Sequence, residues 1–147
     1  MTLRFTQLFD QQASKALAEV NTLAEIVFGQ HDAQDCAWRF KNMPALSLFL
    51  AWQDDTLIGF KAGYAVTSTR YYSWLGGVHP AYRQQGIAHQ LMLAQHAWLA
   101  EQGFKRVETE TNQTNHAMCQ LNEQCGFVMI GTRFDENRPR IIFRKSL

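Results

Sequence analysis

The sequence predicts an α/β (α+β) fold, one mixed sheet with helices packed on it. Three observations carry this. Strand-like and helix-like patterns interleave in the order β-α-α-β-β-β-α-β-α-β-β. No repeat, low-complexity stretch or linker interrupts them. A chain of 147 residues, 46 % hydrophobic, suits a single domain over residues 1–147 and can bury roughly 70 % of its unfolded surface.

The elements follow in order. Leu3–Phe9 alternates imperfectly and is predicted as the first strand. Asp10 stands where a helix cap belongs, and Ala13, Leu17, Val20, Ala24 and Val27 share one face of a helix that runs to Phe28 and stops at Gly29. A shorter helix near Asp32–Lys41 ends before Pro44. Leu46–Trp52 is apolar enough for a buried strand; Asp54 and Asp55 make a turn, and Leu57–Val66 returns as its hairpin partner. Tyr71–Val78 is the next strand. Gly86–Gln102 is a helix in which Ile87, Leu91, Ala94 and Trp98 are expected to be buried, His89 and His96 solvent-facing, and Gly103 the stop. Phe104–Thr111 is a strand and Asn115–Gln124 a short helix ended by Cys125 and Gly126. Phe127–Phe134 and Arg140–Arg144 are the last two strands.

Composition narrows the function. A net charge of +1 argues against nucleic acid or anionic lipid as the main partner, because phosphate-backbone binders carry a clear basic excess. No run approaches a membrane span, and MTLRFTQLFDQQ lacks the apolar core of a signal peptide. The three cysteines, Cys36, Cys119 and Cys125, form no CxxC and no even set, so neither a zinc site nor a disulfide frame is expected; a reducing cytoplasm fits. His31, His89, His96 and His116 make no ligand pair, and no metal is expected.

The segment VHPAYRQQGIA, from Val78 to Ala88, carries the strongest chemistry. A strand runs into a turn, and Gly86 sits where the helix starts. A first helical turn leaves N–H groups unpaired at the positive end of the helix dipole. Here those donors belong to Gln84, Gln85, Gly86, Ile87 and Ala88, with small side chains at Gly86 and Ala88 and a charged fork at Arg83. An anion such as a diphosphate can reach such a backbone. Gly76-Gly77, inside the preceding strand, marks a bulge or a close approach by a ligand.

VHPAYRQQGIA resembles the acetyl-CoA diphosphate loop of the GCN5-related N-acetyltransferases (GNATs), Val-x-Pro-x-x-Arg/Gln-x-x-Gly-x-Gly/Ala. NHAMCQLNEQCGF, Asn115–Phe127, resembles the same family's late motif, Asn-x-x-Ala/Met-x-x-Leu-Tyr-x-x-x-Gly-Phe. The resemblance implies a mostly antiparallel central sheet of six to seven strands flanked by about four helices, splayed at the cofactor site. It also implies acetyl-CoA as cofactor, a small-molecule or peptide amine as acceptor, and often a homodimer. By the same resemblance Val78 pairs its backbone with the pantetheine arm, Arg83 to Ala88 cradle the diphosphate, and Asn115 hydrogen-bonds the arm beside the thioester.

Acyl transfer needs a neutral amine, and an alkylamine with a pKa of about 10 is protonated at neutral pH, so a base is required. Glu110, on the strand VETETN with Glu108 on the same face, is the leading candidate, against a reading of both as exposed strand carboxylates; His79, beside the turn, is the other. A main-chain N–H near Val78 could stabilise the oxyanion. Asn122 stands where the family commonly has a tyrosine that serves as acid for the thiolate. That departure leaves three alternatives: an unassisted thiolate, another donor such as Tyr82 or water, or a catalytically silent acyl-CoA binding module. The acceptor site is expected over Asp32–Met43, Thr67–Tyr72 and Asp135–Pro139, with Trp38, Phe40, Tyr71, Tyr72 and Trp74 as an aromatic lining or as core.

Overall fold

The computed structural model describes residues 2–136 and 138–147. The chain begins with β1 (Leu3–Phe9) and a 3-10 stretch over Asp10–Ala16 that leads into α1 (Leu17–Phe28) and α2 (Ala33–Asn42). Three strands follow, β2 (Ser47–Gln53), β3 (Thr56–Ala65) and β4 (Arg70–Val78). After a 3-10 turn at Pro80–Tyr82 come α3 (Ile87–Glu101), β5 (Arg106–Asn112), α4 (His116–Gln124), β6 (Val128–Asp135) and β7 (Arg138–Ser146). The seven strands form one sheet in the order β1-β2-β3-β4-β5-β7-β6. Only β4 and β5 run parallel; every other neighbouring pair is antiparallel. This is the mixed, mostly antiparallel sheet with four α-helices expected from the sequence. No helix among the described residues is long and apolar enough to cross a membrane.

Alternation along β3 sorts the two faces. Phe60, Ala62 and Tyr64 point into a core with Ala13, Val20, Leu23, Ala24, Cys36 and Phe40, so α1 and α2 cover that face. Gly59 and Gly63 turn to the opposite face. A Cβ at Gly59 would lie 3.1 Å from Ile87 Cγ2 and 3.3 Å from Leu91 Cδ1, so the missing side chain lets α3 settle onto the sheet. Farther along α3, Met92 and Leu99 join Tyr71, Val107, Phe127 and Phe143 in a third core.

Three expectations change. Asp10 does not cap a helix; at φ 53° it bonds the start of β2, its N–H donating to Leu46 O (2.9 Å) and its Oδ1 accepting from Leu46 N–H (3.2 Å). Along α3 the buried set is Ile87, Leu91, Met92, Gln95, His96 and Leu99, whereas Ala94 is exposed and Trp98 half-buried. The helix is covered by the sheet and also by the β6–β7 end of the molecule, so a second stripe is buried. His96 therefore lies inside, 5 % exposed, its ring edge-on to Phe127 and its Nδ1 2.9 Å from Lys145 Nζ, while His89 is exposed as expected.

Candidate functional site

The β4–β5 ladder is short. Arg70 to Ser73 pair with Arg106 to Thr109, and the pairing stops there. Thr109 Oγ1 donates to Ser73 O at 2.9 Å, at the crotch of a fork. Beyond it β4 stays with β3 and β5 stays with β7, so the two central strands part. His79 N–H donates to Ile58 O at 2.7 Å on the β3 side. Successive residues of a strand turn their amides to opposite edges, so Val78 presents its N–H to the fork. Its carbonyl accepts from Arg83 Nε at 3.2 Å.

The paired glycines have a different purpose from the one expected. The β3–β4 register shifts opposite Ala62 and Gly63, upstream of Gly76-Gly77. A Cβ on Gly77 would lie 2.8 Å from Val27 Cγ1, so this glycine admits α1. A Cβ on Gly76 would lie 3.2 Å from Phe60 O and 3.6 Å from Lys61 Cγ. Both positions are bare for packing within the protein itself.

At the end of the fork lies the mouth of α3. Gln84 (φ 62°) and Gly86 (φ 77°) both take left-handed conformations, and Gly86 is the N-cap, with no side chain bonded to the cap. Nothing lies within 4 Å of a Cβ built on Gly86. Ile87 is buried and anchors the helix start; Gln84, Gln85 and Gly86 are exposed, and Ala88 is half-buried. The result is a run of main-chain donors, open in front of Gly86, with Arg83 beside it. That donor set fits a diphosphate. His79 is partly spent: its Nδ1 accepts from Ala81 N–H at 3.0 Å, and its ring packs edge-on against Tyr82.

On the other face of the fork, Glu108 and Glu110 stand side by side on β5, and neither is a free surface carboxylate. Glu108 Oε2 accepts from Arg70 Nε (3.1 Å) and Nη2 (2.9 Å), and Arg144 lies 3.7 Å from Oε1. Glu110 Oε1 accepts from Arg133 Nε at 2.5 Å, with Arg140 Nε 3.6 Å away. Burial pushes the nearby Tyr72 hydroxyl up to about 12, with the charge of Glu110 adding to the effect. Two clefts flank the Glu110–Arg140 pair. One, of about 290 Å³, is lined by the α1–α2 connection from Phe28 to Asp35 together with Trp74, Leu75 and Arg140. The other, of about 220 Å³, includes Tyr72, Glu108, Glu110 and Ile142.

Of the predicted aromatic lining, Tyr72 and Trp74 face these clefts. Phe40 is core, and Trp38 is exposed on α2. Tyr71 points to the opposite face, its hydroxyl held by Ser47 Oγ (2.7 Å) and donating to Ala45 O (2.8 Å). Asp135 pairs with Arg138 in the β6–β7 ladder, and Glu136 Oε2 lies 3.7 Å from Arg138 Nη2.

Asn115 is the N-cap of α4, its Oδ1 accepting from Met118 N–H at 3.2 Å. Asn122 is 1 % exposed and donates from Nδ2 to Thr111 Oγ1 at 3.0 Å, tying α4 to β5. The sequence reading missed Arg133, Arg140, His31, bonded to Asn21 at 2.7 Å on the wall of the first cleft, and Lys61, a buried lysine on β3. Only Lys61 left a signal, as the one charge in the apolar run LIGFKAGYA.

Comparison with known proteins agrees with this architecture. The profile of the Acetyltransferase (GNAT) family matches residues 15–127. The fold is shared with the ribosomal-protein-S18-alanine N-acetyltransferase of Escherichia coli (TM-score 0.86, 16 % identity, covering 99 % of this chain and 94 % of that one). It is shared with Ard1 of Thermoplasma volcanium (TM-score 0.82, 15 % identity, 100 % and 99 % covered). It is also shared with the paiA N-acetyltransferase of Thermoplasma acidophilum in complex with coenzyme A (TM-score 0.74, 14 % identity, 100 % of both chains covered). No curated protein sequence matches. A forked sheet, an uncapped helix mouth at the end of its fork and a profile match over most of the chain lead to one conclusion: the chain belongs to the GNAT acetyltransferase family.

Proposed function

We propose that this protein carries an acetyl group from acetyl-CoA to a primary amine of a small molecule or peptide, the amine attacking the thioester directly. The observation that carries the reading is the alignment at the end of β4, where the edge that β5 has left, with the Val78 N–H turned to it, leads into the main-chain amides from Gln84 to Ala88. Coenzyme A joins an amide-bearing arm to a diphosphate, and those two chemistries suit the strand edge and the helix mouth in turn. When bound, acetyl-CoA supplies an acyl group activated as a thioester; acetyl-CoA in one solved structure of this fold and coenzyme A in another support the assignment.

The chain's own residues divide the remaining work. Gln84 to Ala88 donate main-chain N–H groups to the diphosphate, and Arg83 adds charge. The Val78 N–H is the donor toward the acyl oxygen. Asn115 spends Oδ1 on its cap and keeps Nδ2 for the arm. Glu110 takes the proton from the attacking amine, directly or through water. Arg133 and Arg140 hold its Oε1, and its Oε2 accepts no hydrogen bond among the described residues. The acceptor enters by the 290 Å³ cleft, where Asp32, which has no ion-pair partner among the described residues, favours a cation. The unpaired thiols of Cys36, Cys119 and Cys125 support a reducing, cytoplasmic setting.

The test is incubation with acetyl-CoA and a panel of small amines and peptides with free amino termini. Thiol release matched by acetylated amine in the mass spectrum is expected. Tight acetyl-CoA binding with no thiol released across the panel would replace this reading with the silent binding module.

A further inference from the structure

Lys61 breaks the rules of the strand it sits on. It lies in the middle of β3, is 9 % exposed, and takes part in none of the ion pairs among the described residues. A buried ammonium without a counter-charge is costly, and a fold that keeps one has a use for it. Its path is defined by its neighbours. Lys61 pairs with Gly76 of β4, and a Cβ on Gly76 would sit 3.6 Å from Lys61 Cγ, so the lysine stem runs over the bare backbone of that glycine. Gly76 lies past Ser73, the last residue of β4 paired to β5. The stem therefore crosses β4 where β4 has left its partner, on the α3 face, and heads for the end of α4.

The titratable groups that face it there leave its charge uncompensated. Cys125, at the end of α4, is the ionisable group nearest in effect to Lys61, and burial raises that thiol, so it stays protonated and supplies no counter-charge. His96 of α3 is pulled down to about 3 by burial and is neutral. Lys145 of β7 adds a second positive charge and donates to His96 Nδ1. Buried side-chain atoms without partners cluster close by, namely Gln95 Nε2 and Oε1, His96 Nε2 and Ser73 Oγ. The interior beside the fork is thus polar and positively charged, with no anion of its own among the described residues.

Resting on the reading above, we propose that Lys61 is a catalytic residue of the acyl transfer, its ammonium lying against the donor sulfur and protonating it as it leaves. The acyl carbon gains its bond to the acceptor nitrogen while the carbon–sulfur bond breaks. The electron pair of that bond stays on sulfur, and Lys61 Nζ supplies the proton that makes the free thiol. Lys61 is left a neutral amine and regains its proton from water. Burial lowers Lys61 to about 8, so it is still protonated at neutral pH yet gives up its proton more readily than an ordinary lysine, as an effective acid must. Asn122, at the position where a tyrosine acid is expected, cannot fill the role; it has no acidic proton and is bonded to Thr111.

The test titrates the thiol of bound coenzyme A by its thiolate absorbance, subtracting the same protein bound to desulfo-coenzyme A to remove its own thiols and tyrosines. In the wild type the bound thiol should ionise at least about one unit below the free value, a tenfold gain in thiolate below that point. Lys61→Met should return it to the free value or above, and Lys61→Arg should keep it low while acetyl transfer slows at least tenfold. A bound thiol that titrates identically in wild type and Lys61→Met overturns the role of Lys61 and leaves the acetyl-CoA site standing. Failure of coenzyme A to bind the wild type overturns both. Should Lys61→Met not fold, a wild-type bound thiol at or above the free value is by itself enough to refute the proposal.

Discussion

Replacing Gly86 with glutamate and, in parallel, with glutamine isolates the electrostatics of the helix mouth. Both substitutions pay the same backbone strain, about 1–2 kcal/mol for a side chain at φ 77°. Neither meets a steric obstacle, since nothing lies within 4 Å of the new Cβ. They differ only in charge. A carboxylate about 4 Å from one phosphate charge costs about 4 kcal/mol at an effective dielectric of about 20 and about 1 kcal/mol in bulk water. Gly86 is exposed, so the penalty falls between these limits, roughly fivefold to several hundredfold in Kd. Calorimetry with coenzyme A should show Gly86→Glu binding weaker than Gly86→Gln by that factor at low salt. The gap should narrow near 1 M salt, where the screening length drops to about 3 Å. Equal affinities at low salt would mean that no anion docks between residues 83 and 88.

Glu110→Gln should lower kcat by about 100-fold or more and leave the Kd for coenzyme A unchanged; steady-state kinetics showing wild-type turnover would remove Glu110 as the base. Gly77→Ala forces a Cβ to 2.8 Å from Val27 Cγ1 and should cost about 1–3 kcal/mol in urea denaturation. Adding Val27→Ala should recover part of that loss, and strictly additive costs would exclude the contact. His96 is neutral when buried, at about 3 against 6.5 in the unfolded chain, so its contribution to stability is complete above about 6.5. That contribution fades as pH falls toward 3, with a slope of up to about 1.4 kcal/mol per unit. Urea melts from pH 7.5 down to about pH 4.5 should show a shallower decline in His96→Leu; parallel declines would place His96 outside the acid response.

What the sequence disclosed follows from how local each feature is. The helix mouth proposed for the diphosphate uses main-chain amides of contiguous residues, so VHPAYRQQGIA carries it almost whole. The larger cleft beside the Glu110–Arg140 pair brings together Phe28, Trp74 and Arg140 from three distant elements, and no local pattern records that meeting. Likewise Glu110 stands 23 residues from Arg133 and 30 from Arg140, so its ion pairs are invisible in VETETN. Gly76-Gly77 signalled a close approach, but the sequence could not say whether a ligand or Val27 was approaching. Tyr71 is a different case. Adjacent strand residues face opposite ways, so Tyr71 and Tyr72 could never both line the acceptor side. On α3, one apolar stripe was read where the packing buries two.

The short β4–β5 ladder divides the molecule in a further sense. Strands β1 to β4 form one half-sheet and β5, β7 and β6 another, joined edge to edge by four residue pairs and the Thr109–Ser73 bond. A molecule seated across that seam would act as a rivet between the halves. Its grip would then set how cooperatively the halves unfold, and changes at the seam, such as Thr109→Val, would reach the chemistry by altering the angle at which the two plates meet.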